Sequence, residues 1–443
     1  MNPDVKLAYD ALKAKQRPYD LYWDYYQGKH PLEYSASRLR EVFRGLDANF
    51  VENWCAVVVD VPLERLLLER IEVANDPRAT ELLQDIWARL DLDIEADDAH
   101  ESLLVTGEAF FIVWPRADGG VTAYFNDSRL CHAVYDEDDP HTIRVAAKGW
   151  LSGDIYRLNL YYADRIEYYG AQAQHGRAPD NAAAFQVLEE PQPNPYGIVP
   201  VFHLRSGRFQ QSALDNAIPL QAAINKLLAD EMIAAEFGAF RQRYVISNAD
   251  VSTLKNAPNE IWHLPSGDGM GQATSVGEFT ETRLDNYERS IERRVAALSA
   301  ITRIPAFYFL RQGGQPPSGE ALVVLEAPLT KRLRRIQQRA VTVWQQLAAF
   351  VLALEGVAVD QETVRPVYAE PATVQPRTAA EIRQMSVGAG IPLATQLRRE
   401  GWTEDDLDAL RADRVAERAD AQESLAQALL EQQRRFDQEG VGE

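Results

Sequence analysis

Two helix-length stretches, about 212–240 and about 280–301, bracket a run of β texture, and this order constrains the fold more than any other feature of the chain. In the second stretch Leu284, Tyr287, Ile291, Val295 and Leu298 recur every three or four residues, the spacing of one helical face. In the first, Asp215 sits at the start and Pro219 marks where regular helix begins, because only a first turn can spare the missing amide hydrogen. Between them, Arg243-Tyr244-Val245-Ile246 and Glu260-Ile261-Trp262-His263-Leu264 are strand-like, and 267–271 is a glycine-rich turn. A chain that leaves along one long helix and returns along another forms a hairpin with a small β unit at its tip. Residues 302–318 then break the helix, with Pro305, Gly313, Gly314, Pro316 and Pro317. A third long helix starts at Ser318, a good N-cap, and runs to about Glu355, with Pro328 expected to kink it a third of the way along.

The remaining segments point to a mixed α+β chain, mainly helical. Residues 5–28 read as a polar helix ending in Tyr19, Tyr22, Trp23, Tyr25 and Tyr26, with Gly28 as its C-cap. Residues 49–68 are an amphipathic helix weakened at Pro62, and 78–107 are a helical hairpin. Ala109–Trp114 and Val121–Phe125 read as strands joined by a turn at 118–120. From 130 to 205 the texture is β, interrupted at 171–184 by a Gly/Ala/Gln/Asn-rich stretch expected to be a mobile loop. A short extended segment, 364–368, leads to a linker ending at Pro376, and the acidic helical remainder begins near 378. A length of 443 residues suits about two to four domains.

Charge narrows the function classes. The formal net charge is −20, which argues against tight wrapping of nucleic acid, since that needs an excess of Lys and Arg to displace counterions. It leaves open a protein that nucleic acid passes without sticking. Cys55 and Cys131 lie among apolar residues and read as buried free thiols in a reducing compartment. No signal peptide and no apolar run of roughly 20 residues is evident, so synthesis in the cytoplasm and no membrane partner are expected. There is no phosphate-binding loop: Gly313-Gly314 precedes Gln-Pro-Pro, with no Lys. The seven histidines are scattered, and the acidic clusters at 91–98, 136–139 and 404–406 read as solvated surface. No catalytic residue, metal site or cofactor is expected.

An ordered set of motifs carries a resemblance. Ser212-Ala213-Leu214-Asp215 leads into Gln221-Ala222-Ala223-Ile224-Asn225-Lys226, and that helix closes on Ala239-Phe240-Arg241-Gln242-Arg243-Tyr244-Val245. Ala300-Ile301-Thr302-Arg303-Ile304-Pro305 and Pro317-Ser318-Gly319-Glu320-Ala321-Leu322 follow, then a helix with Glu326 and Trp344. Tyr25–His30, the block from Asn53 to Leu66, Gly390-Ile391-Pro392-Leu393 and Gly401-Trp402-Thr403-Glu404 fit at the two ends. Together these resemble the portal proteins of tailed bacteriophages, of the type found in siphophages of Gram-positive hosts. The resemblance implies a ring of identical subunits, usually a dodecamer, at one capsid vertex of the virion. Through it double-stranded DNA would be packaged, retained and ejected. It further implies a wing (1–211), stem helices (212–240 and 280–302), a clip (241–279), a tunnel loop (303–318), a long kinked helix returning to the wing (319–376) and a helical crown (377–443). The terminase large subunit, the major capsid and scaffolding proteins and a head-completion or connector protein are the partners it implies.

On that frame the tunnel loop offers Arg303, Phe307, Tyr308, Arg311, Gln312, Gly313, Gly314 and Gln315 to the DNA channel. Arg243, Tyr244, Trp262 and His263 would dock the motor or connector from the clip. Two cationic sets, Arg283, Arg289, Arg293 and Arg294, and Lys331, Arg332, Arg334, Arg335 and Arg339, are candidates for subunit interface or channel. Salt bridging, with Glu281, Glu288, Glu292, Glu320 and Glu326 near in sequence, ranks above DNA contact for both sets, and the 331–339 run is read as a subunit-joining surface. The rival readings are another head or baseplate protein without a channel, a metal-dependent nuclease using the acidic clusters, and a portal with an added domain, for which the chain is short.

Overall fold

The computed structural model describes residues 2–30, 52–117, 119–239, 243–246, 275–278, 283–309, 318–372, 376–399, 402, 406–415 and 417–418. They fall into two units, Met1–Ala372 and Thr373–Glu443. The first begins with α1 (Pro3–Tyr26), α2 (Trp54–Leu63), β1 (Leu68–Val73), α3 (Pro77–Arg89) and α4 (Leu92–Thr106). The strands β2 (Glu108–Pro115), β3 (Val121–Asn126), β4 (Cys131–Tyr135), β5 (Ile143–Ser152), β6 (Ile155–Tyr161), β7 (Arg165–Gln172), β8 (Gln186–Pro193) and β9 (Val201–Arg205) follow. Next come α5 (Ile218–Ala239), β10 (Arg243–Ile246), β11 (Ser275–Glu278), α6 (Asp285–Thr302), α7 (Gly319–Leu354) and β12 (Val364–Tyr368). The second unit holds α8 (Pro376–Gly388) and α9 (Leu393–Arg399), packed on each other across a turn at Gly390.

Strand β2 sets the layering. Its run Glu-Ala-Phe-Phe-Ile-Val is apolar at both alternating positions after the first residue, so it needs cover on both faces. Phe110 and Ile112 pack with Val201, Ala146, Tyr161 and Ile166, joining the three-stranded sheet β3-β2-β9 to the five-stranded sheet β4-β5-β6-β7-β8. Phe111 and Val113 face the other way, into a core with Trp87, Leu103 and Trp344. The far face of the five-stranded sheet is covered by Val5, Ala8, Tyr9 and Leu12 of α1 against Leu158 and Leu160. Each such large apolar side chain contributes about 1.5–3 kcal/mol when fully buried. The mixed helix-and-sheet class read from the sequence is therefore the class observed.

Several local expectations change. The 49–68 helix is shorter, ending at Leu63, and an unforeseen strand, β1, follows it and pairs antiparallel with β12 (Leu68 opposite Tyr368, Val73 opposite Val364). The 171–184 stretch, expected to be a mobile loop, carries local structure: Gln174 bridges Arg177, a short 3₁₀ turn spans Ala182–Ala184, and Ala182 and Phe185 are buried against Tyr9. Helix α1 ends at Tyr26, with Gly28 at φ +75° just beyond, where a side chain would be strained. Cys55 and Cys131 are both free and buried, and burial pushes each thiol up to about 12.

Candidate functional site

Helices α5 and α6 pack together as a hairpin, and β10 and β11 pair antiparallel beyond them, Arg243 opposite Glu278 and Ile246 opposite Ser275. At 22 and 18 residues the two helices are roughly 33 and 27 Å long. Tyr244 lies opposite Gly277, and a Cβ there would stand 2.3 Å from the tyrosine ring, so glycine is what lets the ring cross the neighbouring strand. Helix α6 buries Val295, Leu298, Ser299 and Thr302 and exposes Arg289, Arg293 and Arg294. Of the cations foreseen here, Arg283 and Arg289 share Asp285, at 2.9 and 3.2 Å. Arg293 and Arg294 form no ion pair among the described residues. Trp262, His263 and 311–315 lie outside the described residues, as does the Arg243 side chain.

The chain after α6 is clamped. Arg303 ends the helix in the left-handed region at φ +62°, and Ser299 donates its hydroxyl to the Ile304 carbonyl at 2.6 Å. A 3₁₀ turn, Ala306–Tyr308, follows, and Phe309 is buried against Trp54. Phe307 stacks on Tyr308, ring centroids 4.5 Å apart. Tyr308 in turn donates to Glu326 of α7 at 3.0 Å. Arg65, just beyond α2, grips the same carboxylate with two nitrogens, at 2.8 and 3.2 Å, and also bonds the Tyr308 hydroxyl and the Pro371 carbonyl. Burial alone would lower the Arg65 guanidinium, but Glu326 and Tyr308 outweigh it and raise it. Before residues 310–317, Phe309 is held in the core; beyond them, α7 starts at its Ser318 cap, whose hydroxyl accepts from the Ala321 amide, and is tied to the body at Glu326.

The basic run on α7 divides by helical face. Arg334 points outward to Glu370 at 2.7 Å, both side chains about half exposed. Lys331, Arg335 and Arg339 fall four residues apart on one ridge. They line a recess of about 610 Å³ with Arg332, Arg303 and Arg208, which stands in the connection from β9 to α5. Arg332 donates to the Thr302 carbonyl at 3.1 Å, and burial, aided by Arg303, lowers its guanidinium. Arg339 bonds the Ser206 carbonyl beneath Gly207, where a Cβ would stand 2.8 Å from a guanidinium nitrogen. No carboxylate lines the recess, and none of the six cations is in an ion pair among the described residues. Glu326, named from sequence as a partner of these charges, holds Arg65 instead.

Elsewhere two groups of buried polar side chains satisfy one another, while the indole N–H of Trp23 is buried without a hydrogen-bond partner among the described residues. Glu108 accepts from Lys15 at 2.7 Å, Tyr19 at 2.8 Å and His203 at 2.8 Å. Burial would raise its carboxyl, but His203 and Lys15 outweigh that and hold it at about 2. His100 meets Tyr368, which also takes the Trp344 indole N–H, so α4, α7 and β12 are tied at one point. No local pattern announces this knot, the Arg65–Glu326–Tyr308 clamp, or the part Arg208 plays. Among the described residues no group of three or more His, Cys, Asp or Glu could hold a metal, and no helix is long and apolar enough to cross a membrane.

Comparison with curated proteins finds no match. Among solved structures, a chain from the virion of a native gene transfer agent particle is similar, with 11% identity and a TM-score of 0.44 over 81% of this chain and 90% of that one. The family model described as phage portal protein, SPP1 Gp6-like, matches residues 9–434. Nearly the whole chain, from within α1 to beyond α9, is therefore accounted for by one family, and the protein belongs to the SPP1 Gp6-like phage portal proteins.

Proposed function

We propose that the protein forms a closed ring, usually of twelve subunits in such proteins, at one vertex of the phage head, and that double-stranded DNA is packaged, held and released through its centre. Family membership over residues 9–434 carries the reading. Portal proteins are structural components of the virion head that assemble with other head proteins. In the proposed division of labour the chain is a passive conduit with no catalytic step of its own, assembled in the host cytoplasm. Its wing is 1–211, its stem is built by the hairpin of α5 and α6, its clip is carried at 241–279, and its crown is 377–443. Energy comes from a separate terminase, which docks at the clip, as does a connector later.

The segment 303–318 is assigned as the tunnel loop. The clamp supports that assignment: Phe309 before the segment and the Glu326–Arg65–Tyr308 group beyond it hold the flanking chain to the body. The net charge of −20 per subunit also suits a passage, because a ring of such subunits repels phosphate and limits adhesion.

Negative-stain microscopy of the purified protein tests the ring: particles with a central hole are expected, and monomers or dimers at high concentration overturn the reading. Deleting 310–315 while leaving Phe309 and Ser318 in place tests the gate. Rings should still assemble, with packaging or DNA retention reduced. Rings that package and hold DNA as the parent does would refute the tunnel-loop assignment.

A further inference from the structure

We infer that the recess lined by Arg208, Arg303, Lys331, Arg332, Arg335 and Arg339 is a receptor for carboxylate side chains of a second copy of this chain. The inference rests on the ring reading and names the chemistry of one of its subunit contacts.

Three observations carry it. First, the charges are gathered from three separate parts of the chain, the connection after β9, the end of α6 and the ridge of α7, onto one space of about 610 Å³ with no acid among the described residues of its lining. Like charges held this close repel unless an anion lies among them. The carbonyl end of α6 supplies partial negative charge to Arg332 and only to its depth. Second, the arrangement is built. Arg332 is fixed on Thr302, and Arg339 is fixed on Ser206 under a glycine that leaves it room. Side chains so placed lose little further freedom on binding. Third, the chain itself supplies the complement. It has 66 Asp and Glu against 46 Lys and Arg, so any second copy presents a surplus of carboxylates. A side chain can enter a recess of this size.

The same ridge continues into a larger groove of about 1180 Å³ that shares Gly207, Arg208 and Arg339 and is walled by Tyr196, His203 and Phe350. Backbone around an inserted carboxylate would rest there.

The test is Lys331→Gln combined with Arg335→Gln, which leaves the anchored Arg332 and Arg339 in place. Assembly is followed by sedimentation velocity over a range of protein concentration at low and high salt, beside the parent chain. The expected result is a midpoint of ring assembly raised at least about tenfold and a weaker dependence on salt, with unchanged thermal melting of the dilute monomer. Rings that form at the parent's midpoint and with its salt dependence overturn the inference and leave the ring reading standing. A parent chain that forms no ring at any concentration overturns both. Loss of monomer melting temperature with no change in assembly assigns the cations to an acidic segment of the same chain. Binding of a short duplex oligonucleotide to the parent but not to the variant, with assembly unchanged, assigns them to nucleic acid. Either result overturns the carboxylate receptor between copies.

Discussion

Arg65 and Arg332 are both drawn into the body beside α7, and the fold treats them in opposite ways. Arg65 meets Glu326 with two nitrogens, takes Tyr308 and the Pro371 carbonyl as well, and is raised above the ordinary guanidinium value. Arg332 has one backbone carbonyl, faces other cations, and is lowered. The two sites belong to the same helix, at Glu326 and at Arg332 itself. The difference teaches that a buried charge in this protein is either closed within the chain or left open toward something outside it. The closed site holds the body together around the 310–317 span. The open one keeps six cations beside one another with no ion pair among the described residues.

Four measurements break or sharpen that contrast. The largest effect belongs to the closed site. Glu326→Gln leaves Arg65 buried without its counter-charge, and chemical denaturation should show a loss of about 3–5 kcal/mol. Pairing it with Arg65→Met should recover most of that loss, because the surviving charge is then gone. A loss below about 1 kcal/mol for Glu326→Gln would mean the site is open after all.

Next is pH. His100 is fully enclosed, and burial holds it at about 4 against an ordinary 6.5. Its folded value is depressed, so its contribution to stability is complete above 6.5. That contribution is lost as pH falls from 6.5 toward 4, by about 3 kcal/mol, while the unfolded chain takes up a proton the folded chain refuses. His100→Gln should remove that part of the slope in a series of denaturation curves. A slope identical to the parent's would show that the histidine is not sealed.

Smaller is Arg332→Met at the open site. Removing an uncompensated buried cation should leave the dilute monomer as stable as before, or more stable by about 1 kcal/mol. A fall of several kcal/mol would place an anion of the same chain in the recess. Smallest is Arg334→Ala, which breaks a half-exposed pair with Glu370 and should shift the denaturation midpoint by less than about 1 kcal/mol.

The sequence made the long elements legible because they are periodic. The α5–α6 hairpin, the start of α7 at Ser318 and the β2–β3 hairpin all follow from spacing and caps. Strand β1 escaped because a bulge between Leu68 and Arg70 breaks the alternation that reveals a strand. Strand β8 fell within the β texture read over 130–205 but was not singled out, because it is exposed throughout and contains Pro191 and Pro193, tolerable only at a sheet edge. The 171–184 stretch read as loose because its residues are small, and its two anchors, Ala182 and Phe185, are useful only where Tyr9 happens to be. The candidate site was half legible. The cationic run of α7 was plain, but its division into an outward Arg334 and an inward ridge depends on Arg208, Arg303 and Ser206. Those positions lie far away in the chain and have no local pattern to announce them.

The pairing of β1 with β12 joins residues near 70 to residues near 366, and this sets a clock. A nascent chain exposes the edge of β1 from early in synthesis and cannot cover it until nearly the whole first unit has left the ribosome. Until then Tyr368 is missing from its place beside His100 and Trp344, and α7 lacks the strand that backs it. The β1–β12 pairing can therefore close only after the residues of the α5–α6 hairpin have been synthesised. A chain halted before residue 364 would lack the partner strand of β1 and with it Tyr368, the residue that ties α4, α7 and β12 at one point.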